Sequence, residues 1–124
     1  MMYPSHRTHL SSGELFRRAE EARRYLAPCR VCLRACGVDR LAGKTGVCGI
    51  GAKATVASAL AHHGEEPGLS GSRGAGTVFF GGCNLRCIFC QNFQISQTAQ
   101  SPEYEPEEIA AMLLRLQDEG CHNS

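Results

Sequence analysis

Eight cysteines in 124 residues fall into two groups and one leftover, and their spacing is the chemically informative feature of the chain. Cys83, Cys87 and Cys90 form a C-x3-C-x2-C run within Phe79–Asn92. Three thiolates on one short loop can each hold a different iron of a cubane, leaving the fourth iron without a protein ligand and open to a small molecule. Structural zinc prefers four closed ligands, so this loop alone suits a cluster better than zinc, and three incidental loop cysteines are the plain alternative. Cys29, Cys32, Cys36 and Cys48 form a second constellation, C-x2-C-x3-C-x11-C, among glycines. Four thiolates can close a tetrahedral zinc site or hold a second, electron-relaying iron–sulfur cluster, and the spacing leaves both open. Cys121 stands apart beside His122, a pair that could form part of a ligand set, and it is read in preference as an unpaired thiol.

The elements around these cysteines follow from pattern. Ser11-x-x-Glu14 reads as a capping box opening a helix from Gly13 to about Leu26, with Leu15, Phe16, Ala19, Ala22 and Leu26 near helical spacing and Pro28 beyond its end. His6 and His9 precede it in a stretch read as disordered. Residues 29–51 show glycine punctuation and no long periodicity, as expected of a metal knuckle or a loop. Ala52–Leu60 favours a strand through Thr55 and Val56, while its alanines leave a helix open. Residues 64–76 are expected to be loop, and Thr77–Phe80 a short buried strand. That strand runs into Gly81-Gly82-Cys83, where two glycines permit a tight turn or a close approach. After the polar, irregular stretch Gln91–Ser101, Pro106 opens a second helix with Glu107 and Glu108 in its first turn. Ile109, Met112, Leu113 and Leu116 form its apolar face and Gly120 its stop.

Composition narrows the function classes. Thirteen Lys+Arg against 12 Asp+Glu leave a net charge of +1, without the basic excess of a phosphate-backbone binder, so no nucleic-acid partner is expected. The opening residues lack an apolar signal core, and no stretch is apolar enough to span a bilayer. Unexported thiols stay reduced, which points to a cytoplasmic protein with metal or redox chemistry rather than a disulfide scaffold. No G-x-S-x-G elbow, P-loop or H-E-x-x-H motif gives a hydrolase a starting residue. His62 and His63 are assigned no catalytic role: either can bond the backbone or face the cysteine loop. Glu65 and Glu66 read as a solvated turn.

The loop closely resembles the radical S-adenosylmethionine superfamily, whose hallmark C-x3-C-x-aromatic-C is matched by Cys83, Cys87, Phe89 and Cys90. The flanking HGEEPGLSG, GAGTVFFGGCNLRCIFCQN and QIS are similar to proteins related to the pyruvate formate-lyase activating enzyme. The resemblance implies a [4Fe-4S] cluster on Cys83, Cys87 and Cys90, with S-adenosylmethionine on the remaining iron. It implies reductive cleavage of that cofactor to a 5′-deoxyadenosyl radical, fed by a reductant such as flavodoxin or ferredoxin. Hydrogen abstraction from a substrate would follow, by analogy a glycyl radical installed on a protein. It places Phe89 near the adenine, against the alternative of a residue packed beneath the loop. Similar cysteine-rich N-terminal segments in the same subgroup support metal binding at Cys29, Cys32, Cys36 and Cys48. The expected fold is α/β: residues 1–51 a helix and cysteine-rich module, residues 52–124 the start of a partial (β/α) barrel. One strand and one helix make a single incomplete repeat, so a truncated chain is expected, with the next strand missing after Gly120. A non-catalytic iron–sulfur or zinc-binding fragment, or an electron-transfer module, is the competing expectation.

Overall fold

A computed structural model describes residues 5–97 and 101–124; the expectation for Gln91–Ser101 therefore falls partly outside the described residues. The chain begins with two short helices, α1 (Ser5–Ser11) and α2 (Glu14–Arg23). The helical α1 corrects the expectation of disorder around His6 and His9. Gly13 separates the two helices at φ 75°, a left-handed conformation that a glycine adopts without steric cost. The expected capping box at Ser11 is absent for a specific reason. Ser11 Oγ donates to the Thr8 carbonyl inside α1, while the Glu14 carboxylate is occupied by Arg17 and Arg18 at 2.7–2.8 Å. α2 also ends earlier than expected, its chain tightening through i→i+3 bonds such as Leu26 N–H to the Arg23 carbonyl. Its apolar stripe is not buried: Leu15 and Phe16 are both exposed.

The sheet is built from β1 (Ala54–His62), β2 (Ala75–Phe80) and β3 (Glu103–Tyr104), in the order β2-β1-β3. β1 is therefore central, and the ambiguity between strand and helix over 52–60 resolves to strand. It pairs antiparallel with β2, from Val56 opposite Phe80 to His62 opposite Ala75, with an irregularity between Val56 and Ser58. It also pairs antiparallel with β3 through Ala54–Tyr104 and Thr55–Glu103. The segment expected to be loop contains a single helical turn, α3 (Pro67–Ser70), before β2 begins. β2 is less buried than anticipated, since only Ala75 is buried and Phe80 is half exposed.

A one-turn helix, α4 (Phe93–Ser96), follows the cysteine loop, and α5 (Pro106–Asp118) closes the chain. α5 begins with Pro106 in its first turn and a capping box between Glu105 and Glu108, whose carboxylate accepts the Glu105 N–H at 2.7 Å. It packs on β1 and β2. Ile109, Met112 and Leu113 are half-buried, and Leu116, with no exposed surface, sits over Gly76. Gly120 ends the helix at φ 87°. Beyond it the backbone returns to the sheet: Asn123 forms a parallel bridge with Ala75, and the Gly76 N–H donates to its carbonyl at 2.7 Å. Residues 122–123 thus meet the edge of β2 through a single parallel bridge. Among the described residues the buried set is small, comprising Cys29, Thr55, Val56, Ser70, Ala75 and Leu116 beside glycines. The chain exposes 9075 Å², against roughly 6,500 Å² for a compact chain of its mass.

Candidate functional site

The cysteine loop is suspended from the end of the sheet by its two glycines. Gly81 N–H donates to the Thr55 carbonyl at 2.9 Å, extending the ladder one residue past β2, and Gly82 N–H donates to Ile95 in α4 at 2.9 Å. Gly82 adopts φ 75°, and a β-carbon there would stand 2.8 Å from the Cys48 carbonyl oxygen and overlap the Ile50 side chain. Both conformation and space require glycine. Arg86, at φ 58°, turns the chain again and brings backbone N–H groups onto Cys83. The Leu85 N–H bonds its sulfur at 3.3 Å, and the backbone of Arg86 first and Leu85 second hold the thiol below its ordinary pKa. Cys87 presents its carbonyl to Gln97 Nε2 at 2.9 Å, and Cys90 Sγ lies 3.2 Å from Ser96 Oγ. The tip is open to solvent: Ile88 is 98% and Phe89 84% exposed. Phe89 is therefore not packed beneath the loop.

The N-terminal cysteines sit on a folded knuckle. Cys29, buried, donates its N–H to Val38 at 2.8 Å and accepts from Gly37 at 3.1 Å. Cys32 heads a turn closed by the Ala35 N–H at 3.0 Å, and Arg40 Nε ties the knuckle to the Gly51 carbonyl at 2.7 Å. Gly46 passes so close to Cys36 that a β-carbon would stand 2.8 Å from its sulfur. The Cys32 thiol is held below its usual pKa, chiefly by the Asn84 side chain and then by the Arg34 and Ala35 backbone N–H groups. Asn84 follows Cys83 directly, so the knuckle and the loop meet. Between them lies a cavity of about 330 Å³ lined by Cys29, Cys32, Cys36, Cys48, Cys83 and Asn84, among others. Cys87 and Cys90 are not among its lining residues.

All eight cysteines are free thiols. Soft thiolates clustered in this way suit iron–sulfur or zinc chemistry by donor type. Among the described residues, however, no three His, Cys, Asp or Glu side chains stand close enough to share a metal ion. The donor set fits either group in kind, and ligation requires the loop or the knuckle to draw its thiols together.

The histidines lie elsewhere. His62 pairs across the sheet with Ala75, at the end of β2 opposite Phe80, roughly 17 Å from the cysteine loop at about 3.3 Å per residue. Its ring meets Phe79 edge-on at 5.5 Å, and Nε2 lies 3.9 Å from Glu65. His63 lies against Gly74, and the His122 ring against Gly71. Cys121 is partly exposed and donates its N–H to the Leu116 carbonyl at 3.1 Å at the end of α5. The sequence gives Arg34 no evident role. Arg34 Nε donates to the Asn84 carbonyl at 3.0 Å. Fifty residues separate the two, and no local spacing signals such a pair.

No family model and no solved structure matches the chain. An uncharacterized protein of the archaeon Methanocaldococcus jannaschii is 32% identical to it over 108 residues, covering 82% of this chain and 30% of that protein. The chain thus spans less than a third of the length of this curated relative. Among the described residues, no helix is long and apolar enough to cross a membrane.

Proposed function

We propose that the chain carries an open [4Fe-4S] site of the radical S-adenosylmethionine kind, with Cys83, Cys87 and Cys90 as its ligands, in the first part of a (β/α) barrel. The observation that carries the reading is the three-cysteine loop hung from β1 by Gly81 and from α4 by Gly82, with Cys83 sulfur already receiving the Leu85 N–H. Hydrogen bonds to ligand sulfur stabilise thiolate and are among the devices that set cluster potentials. When bound, the cluster and S-adenosylmethionine supply a one-electron reductive cleavage of the sulfonium, giving methionine and a 5′-deoxyadenosyl radical that takes a hydrogen atom from a substrate. Phe89, exposed one residue before Cys90, offers a ring face to an adenine. The electron comes from a protein reductant of the flavodoxin or ferredoxin type, and the substrate is by analogy a protein that becomes a glycyl radical enzyme. Eight reduced thiols accord with a cytoplasmic setting.

A second reading rests on the cavity, since four of the five cysteines on it belong to the N-terminal knuckle. Cys29, Cys32, Cys36 and Cys48 then hold zinc or a second iron–sulfur cluster, and the chain serves as a non-catalytic metal-binding or electron-transfer module. Anaerobic reconstitution with iron and sulfide separates the two. The first reading expects acid-labile sulfide and broad absorbance at about 400 nm that Cys83→Ala removes, and release of 5′-deoxyadenosine on adding dithionite and S-adenosylmethionine. A colourless zinc protein, or a cluster that survives Cys83→Ala and releases no 5′-deoxyadenosine, overturns it in favour of the second.

A further inference from the structure

We infer that Arg34 is a positioning residue for the Cys83–Arg86 turn, so that the N-terminal knuckle forms one wall of the cysteine-loop site rather than a separate metal module. Three contacts between the segments converge on the start of this turn. Arg34 Nε donates to the Asn84 carbonyl at 3.0 Å. Asn84 also lines the cavity together with Cys32, where its side chain is the main influence lowering that thiol's pKa. Gly82, immediately before Cys83, is pressed against Ile50 and the Cys48 carbonyl. Arg34 thus holds the Asn84 backbone, Cys32 shares the cavity wall with it, and Gly82 abuts the far end of the knuckle. The turn between these supports presents the Leu85 and Arg86 N–H groups to Cys83. A guanidinium suits the task, because a charged donor makes a stronger bond to a carbonyl than a neutral one and a long side chain reaches across the cavity rim. Ile88 and Phe89, one turn further on, are almost fully exposed. The loop is therefore held at its Cys83 end by the knuckle and at Cys87 and Cys90 by Gln97 and Ser96, with only its Ile88–Phe89 tip open.

This inference uses the proposed cluster only to name Cys83 as a ligand, and its test needs no metal. Residue-resolved amide hydrogen exchange on the full, metal-free, reduced chain reads the turn directly. Arg34→Ala should speed exchange at Leu85 and Arg86 by about fivefold, the loss expected for one modest hydrogen bond, with β1 and β2 amides unchanged. Arg34→Lys, which keeps a charged donor, should restore part of the protection. Unchanged exchange at Leu85 and Arg86 in Arg34→Ala overturns the inference. Equal acceleration throughout the sheet also overturns it, since that marks general loosening. A wild-type chain that takes up no sulfide sinks the proposed function and leaves this result standing.

Discussion

Gly82 and Cys48 are in backbone contact across the cysteine-lined cavity: a β-carbon on Gly82 would stand 2.8 Å from the Cys48 carbonyl oxygen. Gly82 also holds φ 75°, so a substitution there meets both strain and collision. Gly82→Ala is expected to destabilise the chain by about 2–4 kcal/mol. Gly43, at φ 76° with nothing within 4 Å of a β-carbon, bears the backbone cost alone, so Gly43→Ala should cost only about 1 kcal/mol. Urea unfolding of the two variants checks the difference, and equal midpoints would show that the contact with Cys48 and Ile50 has no energetic weight.

Leu116 is the one large side chain among the described residues with no exposed surface. Leu116→Ala should cost about 2–5 kcal/mol, a large share of the stability of a chain with so small a buried set. Leu114 is 60% exposed on the same helix, and Leu114→Ala should change stability by less than about 0.5 kcal/mol. Thermal unfolding followed by circular dichroism compares them.

Thr55 Oγ1 is buried without a hydrogen-bond partner in the central strand. Thr55→Val replaces that hydroxyl by a methyl of similar size in a strand that favours β-branched residues, and should stabilise by about 1 kcal/mol. A lower denaturation midpoint for the variant would show that the hydroxyl is bonded in solution.

Glu14 links α2 to pH. Its carboxyl is held at about 2 instead of 4.5, first by the hydrogen bond from Arg17 and then by that from Arg18. A carboxylate with a depressed folded pKa stabilises most above its unfolded value, so the contribution is present above pH 4.5 and is lost as pH falls toward about 2. Helical ellipticity should decline across that window, and Glu14→Gln should start lower and lose this part of the slope.

The outlying cysteine serves as the control for the metal proposal. Cys121 lies at the end of α5, away from the cavity-lining residues. Cys121→Ala should retain the full iron and sulfide content of the reconstituted chain, whereas Cys87→Ala and Cys90→Ala should each lose most of it. Colorimetric iron and sulfide analysis makes the comparison.

Local chemistry was legible wherever a short stretch of chain settles its own conformation. Pro106 and the apolar face ending at Leu116 announce α5, Gly120 announces its stop, and the C-x3-C-x2-C spacing marks the loop that follows Phe80, because each signal lies within a few residues of what it describes. Competing local bonds misled the reading at Ser11, whose hydroxyl turns back to Thr8, and at Glu14, taken by two arginines. Pairings between distant residues were decided in three dimensions. The antiparallel place of β1 between β2 and β3, the return of Asn123 to Ala75, and the grip of Arg34 on Asn84 join residues far apart in the chain. Their partners are chosen by which surfaces meet when the sheet and α5 pack, and no short stretch of the chain shows that choice by itself.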